Sequence, residues 1–201
     1  ARPFPPLQPD VVAVIFSGDM GFRVGMGPRI ADRLSADGIP VLGVSSLTYF
    51  RHERSPAEVK ALVADAARRA LAFSHADRLV LIGQSFGADM LHIGLTGLPP
   101  TLRERVQTVA LVVPTDSIFF RASPSELFNW AKPDAKAFST ASALTWVPAL
   151  CVQGVKEANS LCPLLRQSNM RIVALPGGHM LDRDADALYA TLRDQIIVTG
   201  V

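Results

Sequence analysis

Runs of mainly apolar residues recur along the chain, and segments with helical spacing separate them. Six such runs occur, at residues 11–16, 41–44, 79–82, 106–113, 147–152 and 171–175. A strand that is apolar at successive positions is expected to be buried on both of its faces. We therefore predict six strands of this kind at the centre of the fold.

The segments with helical spacing predict four helices, at residues 28–36, 56–73, 88–95 and 184–198. The second has a clear start, because Ser55 can cap the helix, Pro56 suits its first turn and Glu58 completes a capping box. Strands that alternate with helices predict an α/β fold, with a mostly parallel central sheet flanked by helices on both faces. We expect one domain over residues 11–201, after an N-terminal extension of residues 1–10.

The connection over residues 115–144 breaks this alternation and is rich in aromatic residues, namely Phe119, Phe120, Phe128 and Trp130. We expect loops or a short cap there. In parallel sheets the ligand site lies beyond the carboxyl ends of the strands. Each candidate functional residue should therefore follow a strand.

Composition and charge argue against several classes of protein. Apolar residues make up 49% of the chain and charged residues 19%, as in folded globular proteins. The formal net charge is only +2 and the basic residues are scattered, which gives no reason to expect nucleic-acid binding. No apolar stretch approaches the roughly 18 residues that cross a bilayer. The first residues also lack the basic-then-apolar pattern of a signal peptide.

A nucleophile elbow is predicted at Gly83-Gln84-Ser85-Phe86-Gly87. This G-x-S-x-G pattern follows the third apolar run directly and opens a helix, which is the context of the nucleophile in α/β-hydrolases. The serine must occupy a strained turn that projects its hydroxyl above the sheet, and side chains at the two glycines would strike the neighbouring strand and helix. The backbone N–H of the residue after the serine can then face a developing oxyanion.

Among the four histidines, His179 is the candidate for the general base. It follows the last predicted strand through a Pro-Gly-Gly turn, and the order serine, acid, histidine is that of the α/β-hydrolases. His92 falls inside the helix after Ser85, where we expect a packed or surface residue. We expect His75 to be solvated and His52 to lie in a loop.

Two carboxylates compete for the role of the acid that orients the base. Glu157 lies three residues after Gly154, the glycine that ends the fifth strand, and it is the only carboxylate of that loop. Asp116, after the preceding strand, is the alternative. The acid has to orient the imidazole and stabilise the imidazolium. The sequence favours Glu157.

A second oxyanion donor is expected from the turn-rich segment Ser17-Gly18-Asp19-Met20-Gly21, which follows the first strand. The backbone N–H of Met20 or of Asp19 could supply it. One such donor is worth roughly 3 kcal/mol in the transition state.

The two cysteines, Cys151 and Cys162, lie 11 positions apart. Without further ligands at zinc-like spacing they make a poor metal site, and the sequence predicts no cofactor. They fit two interpretations, free buried thiols or a disulfide. We favour the disulfide, which would indicate an oxidising compartment and would enclose Glu157 in its loop.

Five features of the sequence form a characteristic combination: SGD at 17–19, GVSSLTYF at 43–50, IGQSFGAD at 82–89, the cysteine pair, and GGH at 177–179. This combination resembles the VirJ and AcvB family of bacterial virulence proteins, from about Val11 to the last helix. The resemblance implies a periplasmic α/β-hydrolase fold, with members that hydrolyse aminoacyl-phosphatidylglycerol and release lysine or alanine from the headgroup. A leader would then have been removed or would precede this sequence. The resemblance also implies Ser85 as nucleophile and His179 as base.

The expected function is ester hydrolysis on a serine nucleophile, with an aminoacylated phospholipid or another ester as substrate and peripheral contact with a membrane surface. The ammonium of an aminoacyl ester would suit the carboxylates of Asp19, Asp89 or Asp116. One alternative is a general small-ester or lipid esterase, with the aromatic residues of the 115–144 connection lining an acyl pocket. Another is a non-catalytic interaction protein that keeps the hydrolase scaffold.

Overall fold

A parallel sheet forms the centre of the computed structural model, which describes residues 10–23, 25–122 and 134–200. The strands are β1 (Val11–Phe16), β2 (Val41–Val44), β3 (Arg78–Gln84), β4 (Val106–Val112), β5 (Ser117–Ile118), β6 (Ala135–Lys136), β7 (Ala149–Gly154) and β8 (Met170–Leu175). Six of them form one sheet in the order β2-β1-β3-β4-β7-β8. Every neighbouring pair in it is parallel. The predicted α/β fold with a mostly parallel sheet is confirmed.

The helices are α1 (Gly27–Ala36), α2 (Ser46–Tyr49), α3 (Pro56–Ser74), α4 (Phe86–Leu95), α5 (Pro100–Arg103), α6 (Phe138–Ala141) and α7 (Ala185–Thr199). The four predicted helices correspond to α1, α3, α4 and α7. The other three have four residues each, which is too short to give a periodic pattern in the sequence. In the described part of the chain, none of the helices combines the length and hydropathy that a bilayer span requires.

Two hydrophobic cores lie on opposite faces of the sheet, which explains the uninterrupted apolar strands. In β1, Val12, Val14 and Phe16 pack into the core that contains α3 and α4. The alternate residues of β1 pack into the core that contains α1 and α7. Because successive side chains of a strand point to opposite faces, a strand between two cores has no polar face.

The start of α3 is the predicted capping box. The Ser55 hydroxyl accepts a hydrogen bond from the Glu58 N–H, and the Glu58 carboxylate accepts one from the Ser55 N–H at 2.8 Å. The hydrogen bond from the Ser55 N–H, and a second one from the Ser55 hydroxyl, lower the pKa of the Glu58 carboxyl group. The helix ends at Ser74, and the next residue, His75, adopts a left-handed conformation and is exposed, as expected.

Six strand boundaries differ from the prediction by one or two residues, at Arg78, Gln84, Val112, Ala149, Gly154 and Met170. β4 ends at Val112 because the next residue, Val113, has a φ of 47° and leaves the extended conformation. β7 begins at Ala149, after Pro148, which has no N–H to donate to a ladder. In the connection over 115–144, β5 pairs with β6 and α6 follows. Phe128 and Trp130 lie outside the described residues.

Candidate active site

Ser85 lies in a strained turn between β3 and α4. Its φ and ψ are 53° and −126°, a conformation that costs free energy for a residue with a side chain. Its N–H donates to the Val112 carbonyl oxygen at 2.8 Å, which fixes the turn to the neighbouring strand. This is the sharp strand-to-helix turn that the sequence pattern predicted.

The two glycines of the elbow have no room for a side chain. A Cβ on Gly83 would lie 2.5 Å from the Ala88 Cα. A Cβ on Gly87 would overlap the carbonyl oxygens of Phe16 and Ser17, at the end of β1. The pattern G-x-S-x-G is therefore required here by close backbone packing on both sides of the serine.

A chain of short hydrogen bonds connects Ser85, His179 and Glu157. The Ser85 Oγ lies 2.7 Å from His179 Nε2. On the other side of the ring, His179 Nδ1 lies 2.5 Å from Glu157 Oε1. The Glu157 side chain is only 6% exposed, whereas that of His179 is 35% exposed. The imidazole therefore lies between the half-buried Ser85 and the buried carboxylate of Glu157.

The loops that carry Glu157 and His179 are docked against each other. Beyond β7, the Val155 N–H donates to the Leu175 carbonyl oxygen and the Lys156 N–H to that of Gly177, each at 2.9 Å. Glu157 Oε2 accepts a hydrogen bond from the Gly154 N–H at 3.3 Å. These contacts hold the carboxylate beside the ring through the backbone of both loops.

Cys151 and Cys162 form a disulfide, as favoured from the sequence. Cys151 lies in β7, and Cys162 begins a short 3₁₀ turn after the acid loop. Both cysteines are fully buried. The bridge closes the segment that contains Glu157, and disulfides of this kind are typical of proteins outside the reducing cytoplasm.

The other candidate carboxylates lie elsewhere. Asp116 is exposed and accepts a hydrogen bond from the Ser117 hydroxyl at 2.8 Å. Asp89 is buried within α4, and its two carboxylate oxygens accept hydrogen bonds from the N–H and the hydroxyl of Thr115. Of the two acids proposed for the triad, the structure brings Glu157 to His179.

His52 and His75 are exposed, in agreement with the sequence, while His92 is fully buried. His92 Nδ1 lies 2.9 Å from the Thr140 hydroxyl of α6. Burial lowers the pKa of His92 to about 3, so the ring is neutral at physiological pH. Its Nε2 has no hydrogen-bond partner among the described residues.

The end of β1 lies directly against the nucleophile. A Cβ on Gly18 would stand 3.6 Å from the Ser85 Cβ. Two hydrogen bonds fix this segment on the start of α2: the Ser46 N–H donates to the Ser17 hydroxyl, and the Ser46 hydroxyl donates to the Ser17 carbonyl oxygen. The loop that follows β1 is thus held at the rim of the site.

Within this loop the two candidate oxyanion donors differ. The Met20 N–H donates to Asp19 Oδ1 at 3.0 Å. The Asp19 N–H forms no hydrogen bond within the described ranges. The Phe86 N–H occupies the first position of α4, where a helix provides no partner for it. Of the three candidate donors, Asp19 and Phe86 are therefore the two whose N–H groups have no partner among the described residues.

Several apolar side chains are exposed around this edge of the sheet. Met20, Leu47, Val155 and Met180 follow β1, β2, β7 and β8 respectively, and each is at least 40% exposed. Phe119 and Phe120 are half-buried. Among the residues that the structure describes, no group of three or more His, Cys, Asp or Glu side chains could hold a metal ion.

Sequence reasoning did not identify two threonines that position elements of the site. Thr115 binds Asp89, and Thr140 binds His92, so both threonines fasten the 115–144 connection to the helix that begins at the nucleophile. Threonines after strands and in helices are common, and nothing in the sequence distinguishes these two. Their partners become evident only from the packing of the connection on α4.

Comparison with known proteins gives one match at the family level. A family model for a bacterial virulence protein, VirJ, matches residues 10–199 of this chain. Among curated proteins, no sequence is significantly similar.

Several solved structures share the fold. Est1E from Butyrivibrio proteoclasticus, with ferulic acid bound, is 10% identical, with a TM-score of 0.67 over 94% of this chain and 88% of its own. The esterase Pf2001 from Pyrococcus furiosus is 15% identical, with a TM-score of 0.59 over 93% and 80%. Naproxen esterase from Bacillus subtilis is 12% identical, with a TM-score of 0.57 over 94% and 84%. At such low identity the likeness establishes the α/β-hydrolase fold.

Proposed function

Since the chain belongs to the VirJ family of bacterial virulence proteins, we propose that it is a serine ester hydrolase that cleaves the aminoacyl ester of aminoacyl-phosphatidylglycerol. The observation that carries the proposal is the chain of hydrogen bonds from Ser85 through His179 to Glu157, at 2.7 and 2.5 Å. This is the geometry of a nucleophile, a general base and an orienting acid.

In the acylation step, the Ser85 hydroxyl oxygen attacks the ester carbonyl carbon while His179 Nε2 takes the hydroxyl proton. Glu157 keeps the Nδ1 proton on the ring and stabilises the imidazolium that forms. The N–H groups of Asp19 and Phe86 stabilise the tetrahedral oxyanion. Collapse of this intermediate breaks the ester C–O bond, and His179 returns its proton to the departing alcohol oxygen.

In the deacylation step, water replaces the alcohol. His179 takes a proton from the water as its oxygen attacks the acyl-serine carbonyl. Breakdown of the second tetrahedral intermediate releases the free acid, and the proton passes back to Ser85 Oγ. With an aminoacyl-phosphatidylglycerol substrate, the products are the amino acid and phosphatidylglycerol.

Two features support a lipid substrate outside the cytoplasm. The Cys151–Cys162 disulfide fits an oxidising compartment such as the periplasm. The exposed Met20, Leu47 and Val155 lie in the segments that follow β1, β2 and β7, at the same edge of the sheet as Ser85, where they could contact a membrane surface that presents the headgroup. The resemblance of the SGD, IGQSFGAD and GGH segments to VirJ and AcvB supports the aminoacyl group.

A general small-ester or lipid esterase is the second candidate. The half-buried Phe119 and Phe120 favour it, because aromatic side chains at the start of the 115–144 connection could line a pocket for an acyl chain. A non-catalytic interaction protein on the same scaffold is the third, and reactivity of Ser85 separates it from the two enzymes.

The test uses vesicles that contain lysyl- or alanyl-phosphatidylglycerol, with release of free amino acid as the readout. We expect release by the protein and none by the Ser85→Ala variant with an unchanged circular dichroism spectrum. A fluorophosphonate probe should label the protein at Ser85. Turnover of simple acyl esters without amino acid release would favour the general esterase, and the absence of both labelling and turnover would favour the interaction protein.

A further inference from the structure

Among the described residues, Asp19 combines a backbone N–H without a hydrogen-bond partner with a carboxylate that forms no ion pair. Its N–H is one of the two donors available to the oxyanion, and its side chain is half-buried at the rim of the site. One carboxylate oxygen accepts the Met20 N–H at 3.0 Å. The ion pairs of the described residues do not include Asp19.

The other carboxylates near this edge already have partners that account for them. Asp89 is buried against Thr115, and Glu157 orients His179. Asp134 accepts the Phe120 N–H at 2.9 Å. Asp19 differs from these carboxylates because it accepts only the N–H of the next residue and directly follows Gly18, where a Cβ would stand 3.6 Å from the Ser85 Cβ.

A carboxylate in this position opposes the reaction of a neutral ester. Negative charge develops on the substrate carbonyl oxygen in the transition state, and in the proposed mechanism the N–H of Asp19, which also carries the carboxylate, would bind that oxygen. Like charges a few ångströms apart repel, and partial burial strengthens the effect because water screens it less. A positive charge on the substrate beside the carbonyl would reverse the sign of the interaction.

We infer that Asp19 is a specificity-determining residue that selects esters with a free α-ammonium group next to the scissile carbonyl. The inference rests on the proposed ester hydrolase function and assigns its substrate preference to one side chain. In an amino-acid ester, the carbonyl oxygen and the α-nitrogen are joined by a short covalent path. The N–H and the carboxylate of an aspartate are joined by a path of similar length, so Asp19 can bind both groups of the substrate together.

The test compares two esters that differ only in this charge, alanine methyl ester and N-acetylalanine methyl ester. The wild-type protein is expected to prefer the ammonium form. The Asp19→Asn variant keeps the backbone N–H and an oxygen that can accept the Met20 N–H, but it removes the charge. We expect the ratio of kcat/KM for the two esters to fall by roughly tenfold, with the N-acetyl ester hydrolysed faster than by wild type.

Asp32→Asn is the matched control, since it removes an exposed carboxylate within helix α1, outside the candidate site, and it should leave the ratio unchanged. A variant Asp19→Asn that alters kcat/KM for both esters by the same factor would overturn the inference and leave the proposed function standing. If the folded wild-type protein hydrolyses neither ester nor the aminoacylated lipid, the proposed function fails and the inference fails with it.

Discussion

Gly154 ends strand β7 directly against the carbonyl oxygen of Gly178, closer than any side chain would permit. Glu157 follows the first of these glycines at a distance of three residues, and His179 follows the second immediately. The close approach of the two backbones therefore sets the separation between the acid and the base. The distance of 2.5 Å between Glu157 Oε1 and His179 Nδ1 depends on it.

The change Gly154→Ala should separate the two loops and reduce activity. A Cβ at this position would overlap Gly178, so one backbone must move and the acid must leave the ring. A displacement of this kind can lower kcat by about a hundredfold. Initial rates with a soluble ester give the measurement.

Gly178→Ala provides the matched control, because a Cβ there would meet nothing within 4 Å. It should retain most of the wild-type kcat. Equal losses in the two variants would show that the contact between Gly154 and Gly178 does not set the geometry of the site.

Replacing Glu157 by glutamine should lower kcat by roughly 10² to 10⁴-fold with the fold intact. The amide has the shape of the carboxylate, but it can present an N–H to His179 and favour the wrong tautomer of the ring. Asp116→Asn tests the alternative acid in the same assay and should have little effect. A large loss in Asp116→Asn with normal activity in Glu157→Gln would exchange the roles of the two residues.

Removal of the disulfide by the double change Cys151→Ala and Cys162→Ala should lower the free energy of unfolding by roughly 2–3 kcal/mol. The bridge restricts the unfolded chain around the acid loop. Urea denaturation measures the change. Because both cysteines are fully buried, reductant should lower the stability of the native wild-type protein only slowly, and it should not change that of the double variant. If the double variant is as stable as the wild type, the disulfide does not stabilise the fold.

The stability of the protein should depend on pH through His92. Burial lowers the pKa of this residue from 6.5 to about 3 in the folded state. Between these values the unfolded chain binds a proton that the native protein excludes, so this residue's contribution to stability falls as the pH falls below 6.5. The slope can reach about 1.4 kcal/mol per pH unit.

The variant His92→Gln can keep a hydrogen bond to Thr140 and does not titrate. Free energies of unfolding for both proteins, measured between about pH 4 and pH 6, should show the wild type losing stability relative to the variant as the pH falls. Curves that stay parallel over this range would mean that the buried ring does not contribute to the acid sensitivity of the fold.

The sequence was sufficient to locate the elbow and the base because their determinants are local. The strand, the two glycines and Ser85 are contiguous, and His179 follows its strand after a short turn. The six core strands could also be predicted, since strands buried between two cores have no polar face to interrupt the pattern.

The remaining features depend on contacts between distant segments. Glu157 and Asp116 both follow strands, and only the docking of the β7 loop on the β8 loop brings the first of them to His179. The choice between Met20 and Asp19 depends on which N–H is already bonded within the loop. The direction of a single backbone N–H group cannot be predicted from the spacing of residues in the sequence.

The proposed nucleophile, acid and base follow β3, β7 and β8, whereas the Asp19 loop and the 115–144 connection follow β1 and β4. The proposed catalytic residues and the segments that could contact the substrate therefore lie on different connections of the chain. Insertions or substitutions in the 115–144 connection can change the substrate preference without moving Ser85, His179 and Glu157. Changes in this one connection are therefore a practical starting point for redirecting the enzyme towards esters with other acyl groups.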